Sequence, residues 1–507
     1  MKNFFIGKKR YSGFCLLSVY LLCLAFFFGT GCTQAEKPNS VVVGITQEPG
    51  IFDPHTAVAA GDKEILFNIY EGLVRCTPEG EFLPCLATEV SISDDAMTYL
   101  FTLREDVVFH DNTPMTAEDV QYSLLRASGA LPGVSAIPML DAISDVAIDE
   151  KGRIAVHLSE PDPDMLPFFS VAIVPAHHGD LQREPIGTGP FVWRSYSVGQ
   201  SVILDRNDHY RIPELPYLDS VTFKITANVE AAFLELQSGS IDIFPYLPID
   251  NVAPLEDRYQ MVTGSMNMVQ IFALNNARAP FDNPLVRKAM NLAVDRHEIL
   301  VQTAGSDSRP LMSGMSPALR NFFNEELEDF FPRDLEAARE CLTEAGYPDG
   351  FSTTITVPSN YTIHVNTALL LQQQLLEVGI RVEILPVDWP TWIEDTYSGR
   401  NYDTTVIALT SEFHPADVLS RYRSDNGNNF INYANENFDR DFAAIRSETD
   451  SDKRIELYRN LQRYLAEDAA SVFLQDPNTI VAVKKSLTGY YVFPMYVQDM
   501  STVRFVD

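Results

Sequence analysis

The sequence lacks the residue spacings that known catalytic chemistry requires. Acidic side chains are abundant, but there is no His-Glu-x-x-His zinc motif, no Gly-x-Ser-x-Gly nucleophile turn and no phosphate-binding loop. The nine histidines are scattered, and only His177 and His178 are adjacent, so no spacing predicts a metal cage. We therefore expect neither an enzyme nor a bound metal or cofactor, and an exported hydrolase is the less favoured alternative.

One glycine pair resembles part of a nucleotide-binding motif. Gly187-Thr-Gly189 lacks the third glycine of the dinucleotide fingerprint, and it leads through Pro190 into the predicted strand that begins at Phe191, not into a helix. We interpret it as a segment where the chain crosses between lobes and where glycine permits close backbone approach.

The cysteines leave two interpretations open. Cys76 and Cys85 flank the turn sequence Thr-Pro-Glu-Gly-Glu, which suits a hairpin disulfide in an oxidising compartment, but two free thiols fit equally. Cys341 lies on the apolar side of a predicted helix and is expected in the core.

The central stretch 269–299 organises the rest of the chain. Its apolar first six residues predict a buried strand, and Asn275-Asn276 breaks it. Asp282 or Asn283 then caps a helix with Pro284 in its first turn and an apolar stripe that continues to Ile299.

Local patterns place other elements around this stretch. Thr116 and Asp119 form a capping box, and a helix over 228–237 ends at Gly239. Beyond residue 330, predicted helices alternate with predicted strands, which is typical of an α/β sheet.

The N-terminus has the features of an export sequence. A basic region precedes the apolar run 14–28, and Gly29-Thr-Gly-Cys32 follows with small residues at the cleavage point. A cysteine at that point resembles a bacterial lipoprotein signal, in which Cys32 carries the lipid. Gly29 departs from the leucine preferred in that pattern, and ordinary secretion is the alternative.

Length and charge limit the remaining classes. A chain of 507 residues predicts two or three domains, and its 46% hydrophobic content indicates a globular protein. A net charge of −31 excludes nucleic acid as a partner, because a phosphate backbone needs a basic face. After the N-terminal run, no segment is long and apolar enough to span a bilayer.

Three ordered motifs carry a family resemblance: 100–120, Gly187-Thr-Gly-Pro-Phe191 and 286–296, with Tyr70-Glu-Gly-Leu-Val74 and Ala345-Gly-Tyr-Pro-Asp-Gly350 in support. In this order and spacing the chain resembles the extracytoplasmic solute-binding proteins of the peptide and nickel class (family 5), which serve ABC importers. The resemblance implies an α/β two-lobe periplasmic-binding-protein fold of type II, with an additional domain and a hinge between the lobes.

The resemblance also implies a domain plan and partners. Residues 1–31 are the signal peptide, 32–40 a tether, 73–184 the additional domain and 276–473 lobe II, while lobe I combines 41–72, 185–275 and 474–507. We expect a monomer that is anchored through Cys32 on the periplasmic or outer face of a membrane. It would capture a peptide between the lobes and deliver it to the permease subunits.

Candidate ligand-binding residues follow from the same resemblance. Asn275 and Asn276 match polar residues at the lobe crossing, Trp389 matches an aromatic of the binding pocket, and His364 corresponds to a pocket histidine of some oligopeptide binders. The alternatives are strand breaking for the two asparagines, core packing for Trp389 and a helix-surface position for His364.

The stretch 408–415 adds Thr410, Ser411 and Glu412. Peptide-binding relatives have Gly-Trp and then an aspartate that pairs with the ligand's α-ammonium group. This chain has Ala-Leu and then Glu412, which could serve as that counter-ion, although its longer side chain would shift the anchor. A solvated loop carboxylate is the alternative. Binding of nickel, a metallophore or another non-peptide solute on the same fold remains the second interpretation of function, and a purely structural surface lipoprotein is the third.

Overall fold

A computed structural model describes residues 39–57, 59–410, 413–446 and 448–506. The α-helices are α1 (Ala60–Leu66), α2 (Ala117–Ala127), α3 (Val229–Ser238), α4 (Pro284–Ala293), α5 (Arg296–Thr303), α6 (Leu335–Glu344), α7 (Thr362–Leu376), α8 (Pro415–Ser420), α9 (Glu436–Ile445) and α10 (Ser451–Glu467). A helical turn at Trp389–Thr391 continues as a π-helix over Trp392–Ser398. Short 3₁₀ helices lie at Leu140–Ala142, Leu166–Ser170, Ile249–Asn251, Ala253–Leu255, Pro317–Leu319 and Glu325–Leu327.

The β-strands fall into three larger sheets and two hairpin-sized pairs. In chain order they are β1 (Ser40–Ile45), β2 (Val74–Cys76), β3 (Phe82–Pro84), β4 (Ala87–Ile92), β5 (Thr98–Leu103), β6 (Ile143–Ile148), β7 (Ile154–Leu158), β8 (Phe191–Ser197), β9 (Ser201–Arg206), β10 (Ser220–Ile225), β11 (Ile243–Phe244), β12 (Tyr259–Ser265), β13 (Met268–Leu274), β14 (Arg309–Pro310), β15 (Ser352–Pro358), β16 (Arg381–Val387), β17 (Thr404–Thr410), β18 (Val472–Asp476), β19 (Asn478–Lys484), β20 (Leu487–Thr488) and β21 (Arg504–Phe505). The small pairs are β2 with β3 and β20 with β21.

The first sheet has the strand order β12-β19-β11-β1-β10-β9-β8. Strand β1 lies inside it and pairs in parallel with both β10 and β11. Val41 and Val43 of β1 are fully buried, as the run of β-branched residues predicts. Helix α3 packs beside this sheet, and both of its predicted ends are confirmed: Asn228 caps its start, and Gly239 ends it with φ +78°.

The second sheet has the order β14-β18-β13-β17-β15-β16. Strands β15, β16 and β17 are parallel to one another, and β13 runs antiparallel to β17. Because β13 has neighbours on both sides and a core on both faces, its sequence is apolar almost throughout.

The helix predicted after β13 is divided into two. Asn283 caps α4 by accepting the backbone N–H of Leu285 at 2.9 Å, and Pro284 is its first residue, as expected. Asp295 then caps α5 by accepting the N–H of Glu298 at 3.0 Å, so the helix stops after Ala293 and a new one begins.

Two buried arginines explain the motif 286–296. Arg287 donates to the carbonyls of Asp468 and Ala469, and Arg296 donates to the carbonyl of Phe473 at 2.7 Å. Both side chains therefore fasten α4 and α5 to the segment that leads into and forms β18.

The third sheet, β4-β5-β7-β6, is antiparallel and encloses its own core with α2. The predicted capping box of α2 is confirmed, since Thr116 and Asp119 exchange both hydrogen bonds. Asp164, close after this sheet, accepts from Arg454 Nε at 3.2 Å and from the Tyr458 hydroxyl at 3.0 Å. This buried ion pair joins the third sheet's unit to α10, which packs against the second sheet.

The segment 187–189 packs closely against residues 68–71. A Cβ on Gly187 would lie 2.1 Å from the Ile69 carbonyl oxygen, and one on Gly189 would lie 2.6 Å from the carbonyl oxygen of Asn68. The Thr188 hydroxyl between them donates to Glu71 at 3.1 Å. The predicted close backbone approach is confirmed, and only glycine fits it.

The chain passes between the first and second sheets at two places in the described residues. β12 belongs to the first sheet and β13 to the second, so the first crossing is at residues 266–267. The second crossing is at residue 477, between β18 and β19. The predicted change at 275/276 is therefore wrong by one strand: the apolar pattern identified β13 but not the sheet that it joins. None of the helices in the described ranges is long and apolar enough to cross a membrane.

Candidate functional site

A small cleft lies where the first crossing meets the second sheet. It is built from the start of β13, the end of β17, the loop after β14 and helix α8 with the residues that follow it. Its lining residues are Asn267, Val269, Gly314, Ser316, Leu409, Thr410, Val418, Arg421 and Tyr422. We call it the Arg421 cleft.

Tyr422 supplies a hydroxyl that has no hydrogen-bond partner within the part of the chain that the structure describes. The side chain is 1% exposed, and burial raises the pKa of its phenol to about 12, so the hydroxyl keeps its proton. A Cβ on Gly314 would lie 2.7 Å from that oxygen, so the glycine makes room for it. Arg421 beside it donates to the carbonyl of Thr410 at 3.3 Å.

A second small cleft lies on the first-sheet side of the same crossing. Met266 lines it, whereas the next residue, Asn267, lines the Arg421 cleft. The C-terminal segment contributes most of its remaining wall, and the full set is Pro245, Tyr246, Met266, Thr479, Val481, Tyr490, Val492, Phe493, Met495, Val497 and Gln498. The two clefts therefore lie on either side of the chain crossing.

The second cleft is backed by a buried carboxylate. Glu64 accepts hydrogen bonds from the Tyr246 hydroxyl and the Gln498 side chain, and burial raises the pKa of Glu64 to about 7. Gln498 in turn accepts from the Tyr490 hydroxyl at 2.5 Å. The Thr479 hydroxyl is buried, and none of the described residues hydrogen-bonds to it.

Three predicted site residues share one edge of the second sheet. Thr410 ends β17, His364 follows β15 and Trp389 follows β16, and these parallel strands are direct neighbours. Their carboxyl ends therefore meet at one edge, which is where open α/β sheets bind ligands. Thr410 is exposed and lines the Arg421 cleft.

Of the two environments predicted for His364, a binding pocket and a helix surface, its burial excludes the helix surface. It is 5% exposed, and its Nδ1 accepts from Gln270 Nε2 at 3.1 Å, so it is a core residue rather than a helix-surface residue. Burial lowers the pKa of His364 to about 4, which keeps the ring neutral. Gln270 also accepts from Gln475 at 2.7 Å and thus joins His364 to β18.

Trp389 is 37% exposed and belongs to an aromatic cluster. Its ring is stacked on Trp392 with centroids 5.3 Å apart and meets the edge of Tyr361 at 5.4 Å. Tyr361 also contacts the His364 ring at 5.6 Å. The buried core tryptophan is Trp392, which donates to Thr405 at 2.9 Å, and Trp389 covers it towards solvent.

Asn275 and Asn276 lie at the opposite edge of the second sheet. Leu274 pairs with Thr404, whereas Met268 pairs with Thr410, so the asparagines are about 20 Å from the Arg421 cleft along β13. The side-chain amide of Asn275 donates to the carbonyls of residues 400 and 402, and that of Asn276 donates to those of residues 274, 431 and 470. Their predicted position at the crossing is wrong, and these bonds support the strand-breaking alternative.

The candidate disulfide is absent, because Cys76 and Cys85 are both free, buried thiols. The register pairs Cys76 with Phe82, while the N–H of Cys85 donates to the carbonyl of Leu73. The two cysteines are thus offset by three strand residues, about 10 Å, whereas a disulfide needs Cα atoms within about 7 Å. Burial raises the pKa of each thiol to about 12.

Three other predicted residues, Cys32, Ser411 and Glu412, lie outside the described residues. Within the described ranges, no group of three or more His, Cys, Asp or Glu side chains is arranged to hold a metal ion.

Known proteins with this architecture identify the family. Residues 81–430 match the family model of the bacterial extracellular solute-binding proteins, family 5. The chain belongs to this family. Its members are extracellular solute-binding proteins and not enzymes, so the chain is a solute-binding protein.

Three similar proteins illustrate the range of relatives. The glutathione-binding protein GsiB of Pectobacterium atrosepticum is 27% identical over 493 residues, which cover 91% of this chain and 92% of the relative. The ABC transporter substrate-binding protein CtaP of Listeria monocytogenes is 24% identical and superposes with a TM-score of 0.83 over 93% of this chain and 100% of its own. The oligopeptide-binding protein AppA of Bacillus subtilis, solved with a nonapeptide, is 23% identical with a TM-score of 0.72 over 92% and 99% of the two chains. The α/β periplasmic-binding-protein fold predicted from the sequence is confirmed.

The sequence patterns did not indicate Arg421, Tyr422, Glu64 or Gln498. These residues reach the crossing from elements far apart in the chain, and no local spacing marks them. The carboxyl-edge rule for parallel strands would have located the end of β17, and with it the Arg421 cleft.

Proposed function

We propose that this protein captures short peptides between a lobe built on the first sheet and a lobe built on the second sheet. The observation that carries the proposal is the pair of clefts at the first crossing, each with a buried hydroxyl that has no hydrogen-bond partner among the described residues. Buried polar groups in folded proteins are almost always hydrogen-bonded, so these hydroxyls suit a polar ligand held between the lobes. The crossings at residues 266–267 and 477 are short connections that serve as the hinge.

The relatives support a peptide as this ligand. GsiB is named for binding glutathione, which is a γ-linked tripeptide, and AppA was solved with a nonapeptide. A peptide offers a backbone donor and acceptor at each residue and so matches clefts lined by residues with hydroxyl and amide side chains.

Native mass spectrometry of the protein, purified without denaturation, tests this function. We expect a set of small co-purified masses that fragment as mixed peptides. A single non-peptide mass or a metal-bearing mass would contradict the peptide proposal and favour a non-peptide solute on the same fold. Titration with reduced glutathione and with alanine peptides of two to five residues then measures the affinity directly.

We also propose that Glu412 pairs with the α-ammonium group of the peptide. Glu412 follows β17 by two residues, and Thr410 at the end of that strand lines the Arg421 cleft. Glu412→Gln should weaken binding of a free peptide by about 10-fold or more, because the ammonium loses its counter-ion. For the N-acetylated peptide, Glu412→Gln and the wild type should have the same affinity. Equal affinities of the wild type and Glu412→Gln for the free peptide would refute this role.

The proposed cellular role is delivery of the peptide to an ABC permease from an extracytoplasmic membrane surface. The cleavage pattern before Cys32 supports a lipid anchor at that residue. Cys32→Ser should abolish labelling by radioactive palmitate and release the protein from the membrane fraction. Membrane attachment of Cys32→Ser equal to that of the wild type would contradict the anchor.

A further inference from the structure

We propose that His414 holds the second-sheet lobe against the third-sheet unit through its hydrogen bond to Asp162. The third-sheet unit comprises residues 73–173, which enclose the core of the third sheet. This role rests on the proposed two-lobe function and adds to it the contact that keeps the lobes together over a bound ligand. His414 is thereby a positioning residue rather than a ligand contact.

Both ring nitrogens of His414 are used in one buried arrangement. The side chain is 3% exposed, and its Nδ1 accepts the backbone N–H of Asp417 at 3.2 Å, which caps the start of α8. Because Nδ1 accepts, Nε2 carries the hydrogen that is donated to Asp162 at 3.1 Å. Asp162 follows β7, whereas α8 packs into the core beside the second sheet. A single side chain therefore joins the two units.

Neighbouring contacts extend this joint. The ring of Phe413 meets the edge of the Phe82 ring with centroids 5.4 Å apart, and the His414 ring lies 5.6 Å from that of Phe168. Phe413 has φ +66°, a conformation that non-glycine residues rarely adopt, so these contacts must hold it in place. The buried ion pair between Asp164 and α10 lies in the same interface. The joint thus combines apolar and polar contacts.

On its other side, the third-sheet unit is fastened to the first-sheet lobe. The chain enters the unit from α1 and leaves it into β8, and both elements pack in the core of the first sheet. Arg75 of β2 donates to Asp499 at 3.0 Å, and Arg211, between β9 and β10, donates to the thiol of Cys85 at 3.2 Å. The unit should therefore move with the first-sheet lobe. Opening about the crossings at 266–267 and 477 would then separate it from the second-sheet lobe and break the His414 bond.

Hydrogen–deuterium exchange of the full chain tests this contact with two variants. His414→Asn keeps a side-chain cap on α8, because asparagine is a favoured N-cap, but it lacks the nitrogen that reaches Asp162. Asp162→Ser keeps an acceptor for the N–H of Asp164, which Asp162 binds at 2.9 Å, but it is too short to reach His414. The matched control is His177→Asn, because His177 pairs with Asp111 at 3.0 Å on the surface, and neither residue belongs to the second-sheet lobe.

We expect each variant to raise exchange on the opposite side of the contact. His414→Asn should raise it about 10-fold in residues 162–171, and Asp162→Ser should raise it about 10-fold in α8, because each loses a hydrogen bond to a charged group. His177→Asn should leave both segments unchanged. Exchange that rises only in the segment carrying the substitution would overturn the contact and leave His414 as a helix cap alone.

Stopped-flow measurement of peptide release then tests ligand retention, with reduced glutathione and alanine peptides of two to five residues as probes. His414→Asn and Asp162→Ser should each raise the dissociation rate about 10-fold. The double variant should raise it no further, because both changes remove the same bond. Equal release rates of the wild type and both single variants would overturn the retention role. If none of these peptides binds, the peptide function fails, whereas the exchange measurement still decides the contact.

Discussion

Asp476→Asn should change the pH dependence of stability, because Asp476 is a buried carboxylate between the two chain crossings. Its side chain is 2% exposed and accepts from the Ser265 hydroxyl at 2.7 Å, from the Met268 N–H at 3.3 Å and from the Ser316 hydroxyl. Asp476 ends β18, while Ser265 and Met268 flank the first crossing. The carboxylate therefore ties the two crossings together.

Burial is the largest influence on this carboxyl group, and it raises the pKa from 3.8 to about 6 despite the hydrogen bonds that favour the ionised form. The folded protein therefore binds this proton more tightly than the unfolded chain. The resulting stabilisation is present below pH 4 and is lost as the pH rises through about 6. A shift of about two units corresponds to about 3 kcal/mol. Asparagine is neutral throughout. As the pH falls from 7 to 4, the free energy of unfolding of the wild type should therefore rise by about 3 kcal/mol relative to that of Asp476→Asn.

Urea denaturation of both proteins at half-unit intervals from pH 4 to pH 7.5 measures this difference, and all other titrating groups cancel in it. Ser265→Ala provides an internal comparison, because removing a donor to the ionised carboxylate should make the pH dependence steeper. A difference in unfolding free energy that is independent of pH, or that grows in favour of the wild type as the pH rises, would refute the reasoning.

Three further predictions concern the joints between elements. Asp164→Asn should lower the free energy of unfolding by about 3–5 kcal/mol, because it leaves Arg454 buried without its carboxylate; urea denaturation measures it, and a loss below 1 kcal/mol would contradict this. Gly72→Ala should destabilise by about 1–3 kcal/mol, since its Cβ would lie 2.5 Å from the Ser170 backbone, whereas the control Gly50→Ala, with no atom within 4 Å, should not. Cys76 and Cys85 should react with a thiol reagent only after unfolding. The mass of the unreduced protein should equal the mass calculated with both of these thiols reduced, and a mass lower by two hydrogens would contradict the register.

Features that depend on residues close in the sequence were predicted correctly. The caps of α2, α3 and α4 each rest on a side chain and a backbone N–H within three residues of each other. The same local logic explains the one error among them: Asp295 is itself a cap, and its competition with the apolar stripe divides the predicted helix into α4 and α5.

Features that depend on strand register could not be predicted in this way. The pattern of β13 correctly indicated a buried strand, but a central strand of either sheet would be equally apolar. The crossing was therefore placed at its end instead of its beginning. The two interpretations of Cys76 and Cys85 stayed open for the same reason, because a turn-like sequence indicates a hairpin but does not set which residues face each other.

The candidate site combines both kinds of information. The family resemblance placed His364, Trp389 and Thr410 in the binding region, and the order β17-β15-β16 puts the ends of their strands side by side. Arg421 and Tyr422 reach the same edge only because α8 returns the chain to β17, and Gly314 must lack a side chain for Tyr422 to fit. A glycine in the sequence does not indicate which distant side chain packs against it. This part of the site can therefore be identified only once the sheet order is known.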